Sequence, residues 1–144
     1  MPRLWIILGA VSAAIAVGLG AYHAHGLEAA LTARGVAAED IIKQMHAFET
    51  GARYQMYHAI GLILLGLLAM HATSRWLSAA GALFVAGTLL FSTCLYVPVL
   101  LGIKVWPLFV PIGGLGYIAG WICLAIGAMR INPMASHKTE NRTN

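Results

Sequence analysis

Four long intervals of this chain carry no Asp, Glu, Lys or Arg: Leu4–Leu27, Tyr54–Ser74, Trp76–Ile103 and Val105–Met129. A helix rises about 1.5 Å per residue, so about 20 mostly apolar residues cross the hydrocarbon core of a bilayer. Each interval reaches that length. Buried core helices of soluble proteins usually give apolar runs of only about 10–14 residues. The pattern predicts an all-α fold, an integral membrane four-helix bundle over residues 1–131, with spans at about 4–22, 54–72, 76–97 and 107–129.

The links between spans differ in character. His23 to Thr50 is the longest polar stretch, and within it "LEAALTAR" predicts two amphipathic turns stopped by Gly35. From Glu39 the pattern is helical again, with Ile41, Met45, Phe48 and Ala52 on one face. Glu39 and Asp40 suit a helix N-terminus, where the macrodipole favours negative charge. A short amphipathic helical segment lying on the membrane surface is expected here, running on into the second span. "HATSR" leaves room only for an antiparallel turn. Pro98 and Pro107 are expected to end the third helix and turn the chain. The polar tail, residues 132–144, is expected to be disordered. The N-terminus resembles a signal peptide, but its apolar stretch exceeds the usual h-region of about 7–15 residues, so an uncleaved first helix is expected.

Small residues predict where helices approach. Ser12, Ala16 and Gly20 form a small-xxx-small line in the first helix, and Gly116 and Gly120 a GxxxG in the fourth.

Composition agrees with the bilayer as solvent: the chain is 60% hydrophobic and 10% charged, against roughly 25% charged in a soluble domain. The net charge is +4, but the basic residues are scattered at segment ends, as membrane anchors are. The lipid bilayer is the expected partner and nucleic acid is not; a homo-oligomer or a membrane-protein partner is compatible with the pattern. An even number of spans puts both termini on one side, together with Arg3, Arg75, Arg130, Lys138 and Arg142. Arg34, Lys43, Arg53 and Lys104 fall on the other. That excess predicts cytoplasmic termini, in a bacterial inner membrane.

Candidate chemistry concentrates where the second span begins. Glu49 and Arg53 are four apart with Glu on the N-terminal side, the favoured ion-pair order. His46 and Tyr57 extend their stripe, and Thr50, Tyr54 and His58 make a second line beside it. The bland reading is a structural clasp that neutralises both charges and ties the loop to the bundle. The sharper reading is a binding or conducting site, since polar groups within membranes so often mark function. His23 and His25 follow the first helix directly. An imidazole from either could donate to Glu49 or accept from Arg53. His23, His25 and His58 are weak metal candidates: at i and i+2 of a helix two side chains point apart, so convergence needs an extended segment. Cys94 and Cys123 sit in apolar segments without CxxC or CxxCH, which argues against a thiolate zinc site or c-type haem. No cofactor is expected. Tyr22, Tyr54, Tyr57, Tyr96, Trp76 and Trp106 read as an aromatic belt. GxSxG, HExxH and a phosphate-binding glycine loop are all absent from the sequence.

Several stretches resemble one known family. "GAYHAHGLE", "FETGARYQMYHA", "FSTCLY" and "PIGGLGYIAGW" are similar, in order, to the domain-of-unknown-function 423 family, small four-helix membrane proteins that include the transmembrane protein 256-like proteins. "FET" followed after two residues by "RYQMYH" and an apolar helix is the specific part. Gly51-Ala52 departs from the family's usual alanine and β-branched residue, which is expected to loosen this helical turn. The resemblance implies an integral membrane protein and supplies no mechanism. The leading expectation is therefore a non-enzymatic structural, assembly or accessory role. The rival is a channel or transporter for a proton or small solute, with His25, Glu49, Arg53 and His58 as relay; a membrane metal-binding protein is third.

Overall fold

The computed structural model describes residues 2–72 and 74–131, so the 132–144 tail lies outside the described residues. Four helical units are long and apolar enough to cross a membrane: Pro2–Ala33, Ala38–His71, Arg75–Leu101 and Phe109–Met129. The protein is an all-α integral membrane protein.

The first unit does not stop at Tyr22. Helix α1 (Pro2–Tyr22) passes through one wide π-helical turn, His23–Leu27, into α2 (Glu28–Ala33). Helical dihedrals hold on both sides of that turn, at Tyr22 and at Glu28. The reason lies in packing. Leu27 and Leu31 are buried on one face against Phe48, Ala52, Tyr96 and Val99, and close packing of this kind holds helices together in a membrane. Gly35 then ends α2 with φ +72°, which lets Val36 N–H reach the Leu31 carbonyl at 3.2 Å.

The surface segment and the second span form one helix, α3 (Ala38–His71). Glu39 and Asp40 occupy its first turn, and Asp40 pairs with Lys43 at 3.1 Å. Ser74 caps α4 (Arg75–Leu101), accepting from Trp76 N–H at 3.2 Å. Pro98 was expected to end this helix; α4 instead runs through it to Leu101. Proline lacks the N–H that would serve the carbonyl four residues back. The turn beyond is held from elsewhere. Gly102, with φ +68°, donates to the Pro98 carbonyl at 2.9 Å. Arg34 donates to Val99 and Leu100 carbonyls at 2.8 and 3.3 Å. In α5 (Phe109–Met129), Pro111 stands in the first turn, where its missing N–H costs little.

Helix α1 packs on α3, α3 on α4 and α4 on α5. Glycines carry the close approaches, and they are mostly not the expected ones. A Cβ on Gly20 would meet nothing within 4 Å, and one on Gly116 would make only ordinary contact at 3.7 Å. Gly120 does sit against Phe84, and Ala16 is buried with Ser12 half-buried beside it. The residues of α5 pressed hardest on α4 are Gly113, Tyr117, Gly120 and Gly127, with Gly116 in ordinary contact with Gly87 and Leu83 beside them. Gly9 against Ala59 and Gly66 against Ile6 do the same for α1 on α3. Gly51 lies within the continuous helix α3. It is buried, and the Tyr96 ring lies directly on it.

Candidate functional site

The polar stripe forms at the loop end of α3. Glu49 and Arg53 make an ion pair one helical turn apart, with 44% and 51% of their side chains exposed. Both side chains thus lie on the outer surface of α3 and not in the core of the bundle. His46 is exposed and its carbonyl accepts from Thr50 at 2.8 Å. Tyr54 and Tyr57 are exposed beside Arg53, their rings 6.0 Å apart.

The histidines do not join this pair as expected. The HxH lies in a helical turn, so its two side chains diverge. His23 stacks on Phe48, ring centroids 6.2 Å apart and planes within 8°. His25 is exposed on the outer side, along a crevice with Glu28 and Met45. Neither hydrogen-bonds Glu49 or Arg53 among the described residues. His58 lies ten residues past Phe48 on α3, about 15 Å of helical rise. The three weak metal candidates are thus kept apart, and among the described residues no group of three His, Cys, Asp or Glu is placed to hold a metal ion.

What the bundle does assemble is a buried hydrogen-bond network between its helices. Gln55 donates from Nε2 to the Ser12 carbonyl at 3.0 Å and accepts from Tyr96 O–H at 2.9 Å. Ser92 donates to the Gly51 carbonyl at 2.9 Å and lies 3.3 Å from the Tyr117 hydroxyl. Tyr117 donates to Thr88 at 3.2 Å. Tyr96, read as an interfacial belt residue, is 7% exposed. Its hydroxyl reaches Gln55 across the α3–α4 seam, so it belongs to the core.

His58 uses both ring nitrogens. Trp121 Nε1–H donates to Nε2 at 3.2 Å, so Nδ1 carries the proton and donates to the Tyr54 carbonyl at 2.6 Å. Its ring lies flat on Tyr117, centroids 3.3 Å apart. A groove of about 870 Å³ opens beside it between α3 and α5, walled by Tyr54, His58, Leu115, Tyr117, Ile118 and Trp121. The groove is apolar apart from these edges.

The family model described as "Protein of unknown function (DUF423)" matches residues 19–114. A UPF0382 membrane protein of Staphylococcus haemolyticus is 40% identical over 89% of this chain and 97% of its own length. A UPF0382 membrane protein of Bacillus subtilis is 36% identical over 89% of this chain and 98% of its own. A UPF0382 inner membrane protein of Escherichia coli is 31% identical over 90% and 92%. The chain belongs to the DUF423 family. No solved structure matches it.

Sequence reasoning singled out Glu49, Arg53 and His58 in this DUF423 chain and missed the roles of Gln55, Ser92, Thr88, Tyr117 and Trp121. One signal was present. Ser92 and Tyr96 are four apart in an otherwise apolar span, which puts two polar groups on one helical face.

Proposed function

We propose that the protein is a non-enzymatic membrane protein with a structural or accessory role in the bacterial plasma membrane. The observation that carries this reading is the closure of its polar side chains on one another. Gln55, His58, Ser92, Tyr96, Tyr117 and Trp121 all have protein partners. A relay through His25, Glu49, Arg53 and His58 would need contiguity. Instead His25 is on the outer surface, the ion pair is solvent-exposed, and His58 is committed to Trp121 and Tyr54. The purified protein in vesicles loaded with a pH-sensitive dye is expected to pass protons no faster than empty vesicles. Flux above that background, reduced by His58→Ala or Glu49→Gln, would promote the channel reading in its place.

We further propose that both termini are cytoplasmic. The Lys/Arg excess read from the sequence supports this. A phosphatase fused after Asn144 is expected to be inactive, and a β-galactosidase fusion at the same place active; the reverse pattern would invert the topology.

A further inference from the structure

At the end of the bundle opposite the polar stripe, arginines stand without acids among the described residues. Arg3 opens α1, Arg75 opens α4 and Arg130 follows α5. The four carboxylates among the described residues, Glu28, Glu39, Asp40 and Glu49, all belong to α2 and the start of α3, at the other end. Those carboxylates supply both ion pairs found among the described residues, with Lys43 and Arg53. Arg75 and Arg130 instead lie on the Trp76 ring, their guanidinium carbons 5.9 and 5.4 Å from its centroid. A cation on an aromatic face keeps its hydrogen-bond donors free for another partner. Trp76 Nε1–H is buried and without an acceptor among the described residues.

Beside this aromatic platform is a crevice of about 390 Å³ where α1, α3 and α4 meet, lined by Pro2, Trp5, Ser74, Arg75 and Ser78. On the other side of Pro2 a second crevice, of about 360 Å³, is lined by Arg3, Leu4 and Met70. Leu4 and Met70 are exposed, at 44% and 56%. Donors and apolar side chains thus line two crevices that share Pro2.

We propose that the Arg3–Arg75–Arg130 end is a binding site for an anionic phospholipid, with the phosphate in the crevice at Arg75 and Ser78 and acyl chains along Leu4 and Met70. Charge complementarity selects an anion, because among the described residues nothing acidic stands at this end. Guanidinium groups favour phosphate, whose oxygens match their planar donor fork. The exposed apolar side chains directly alongside select a lipid over a free phosphate, which has nothing to place on them. Basic pockets between helices at a membrane surface recognise headgroups by the same physics.

The test uses the full chain in a neutral detergent, titrated with phosphatidylglycerol or phosphatidylcholine and read by native mass spectrometry and thermal melting. Phosphatidylglycerol is expected to be retained in preference and to raise the melting temperature. R75Q/R130Q is expected to weaken its binding roughly 30-fold, while K43Q/K104Q at the opposite end leaves it unchanged. Melting in phosphatidylcholine reports whether each variant folds. Should the double variant fail to fold, R75Q alone is expected to lose roughly fivefold. Equal retention of the two lipids, unchanged binding in a folded arginine variant, or equal loss in K43Q/K104Q would overturn the proposal. So would stabilisation by millimolar inorganic phosphate equal to that by the lipid, since it would leave the apolar surface without a role.

Discussion

Gly113→Ala is expected to destabilise the protein by about 2 kcal/mol, while Gly116→Ala leaves it unchanged or slightly more stable. The two positions are three residues apart on α5 and equally glycine. A Cβ at Gly113 would fall 2.5 Å from the Phe91 backbone nitrogen, 2.9 Å from its Cβ and 3.0 Å from the Leu90 carbonyl carbon. Backbone atoms cannot rotate aside as the tip of a side chain can, so α4 and α5 must separate. Separation would loosen the Tyr117 hydroxyl from Ser92 and Thr88, because Tyr117 follows Gly113 by one turn on the same face. At Gly116 the nearest atom is 3.7 Å away. There the added methyl fits, and replacing glycine in a helix gains up to about 1 kcal/mol. Reversible unfolding in mixed micelles would measure both. Equal effects at the two positions would show that α5 is rotated from the orientation described above.

The helices were legible because one physical constraint writes them. The thickness of the hydrocarbon core demands long charge-free intervals, and no distant contact can remove that demand. Features settled by distant contacts were not legible. Continuation of the first helix through His23–Leu27 depends on Leu27 and Leu31 finding Phe48 and Tyr96. The turn after Pro98 depends on Arg34, 65 residues away. The same division runs through the candidate site. Glu49 and Arg53 are partners across one turn, so spacing alone revealed them. Ser12, Gln55 and Tyr96 are partners over 43 and 41 residues, and His58 and Trp121 over 63. Glycine positions failed for a related reason: GxxxG spacing states that a flat helix face exists, and not which neighbour turns toward it. Of the three glycines expected at close approaches, Gly20, Gly116 and Gly120, only Gly120 meets a neighbour closely enough to exclude a side chain.

Gln55→Leu is expected to cost about 1–2 kcal/mol, Tyr96→Phe a similar amount, and the double variant about 1 kcal/mol less than their sum. Gln55 is 5% exposed and its amide has both ends engaged. Leucine has nearly the same volume, so the change removes hydrogen bonds with little change in packing. The loss is asymmetric. The Ser12 carbonyl belongs to a helix and keeps its place in the α1 ladder, whereas the Tyr96 hydroxyl loses its acceptor in a buried position. A buried donor left unpaired costs about 1–3 kcal/mol; interhelical hydrogen bonds measured within membranes average about 0.6 and reach about 1.7 kcal/mol, which sets the lower part of the range. Tyr96→Phe reverses the situation and strands the Gln55 oxygen. With both changes, neither orphan remains and two apolar groups face each other, so the second substitution recovers part of what the first lost. Unfolding of all four proteins in mixed micelles gives the coupling directly. Additivity within about 0.3 kcal/mol would mean that Gln55 and Tyr96 do not share a hydrogen bond. The same four proteins also bear on function. If the network serves stability, vesicles carrying Gln55→Leu should be as tight to protons as those carrying the wild type; a change in flux without a change in stability would show that the network moves protons and does not simply hold helices together.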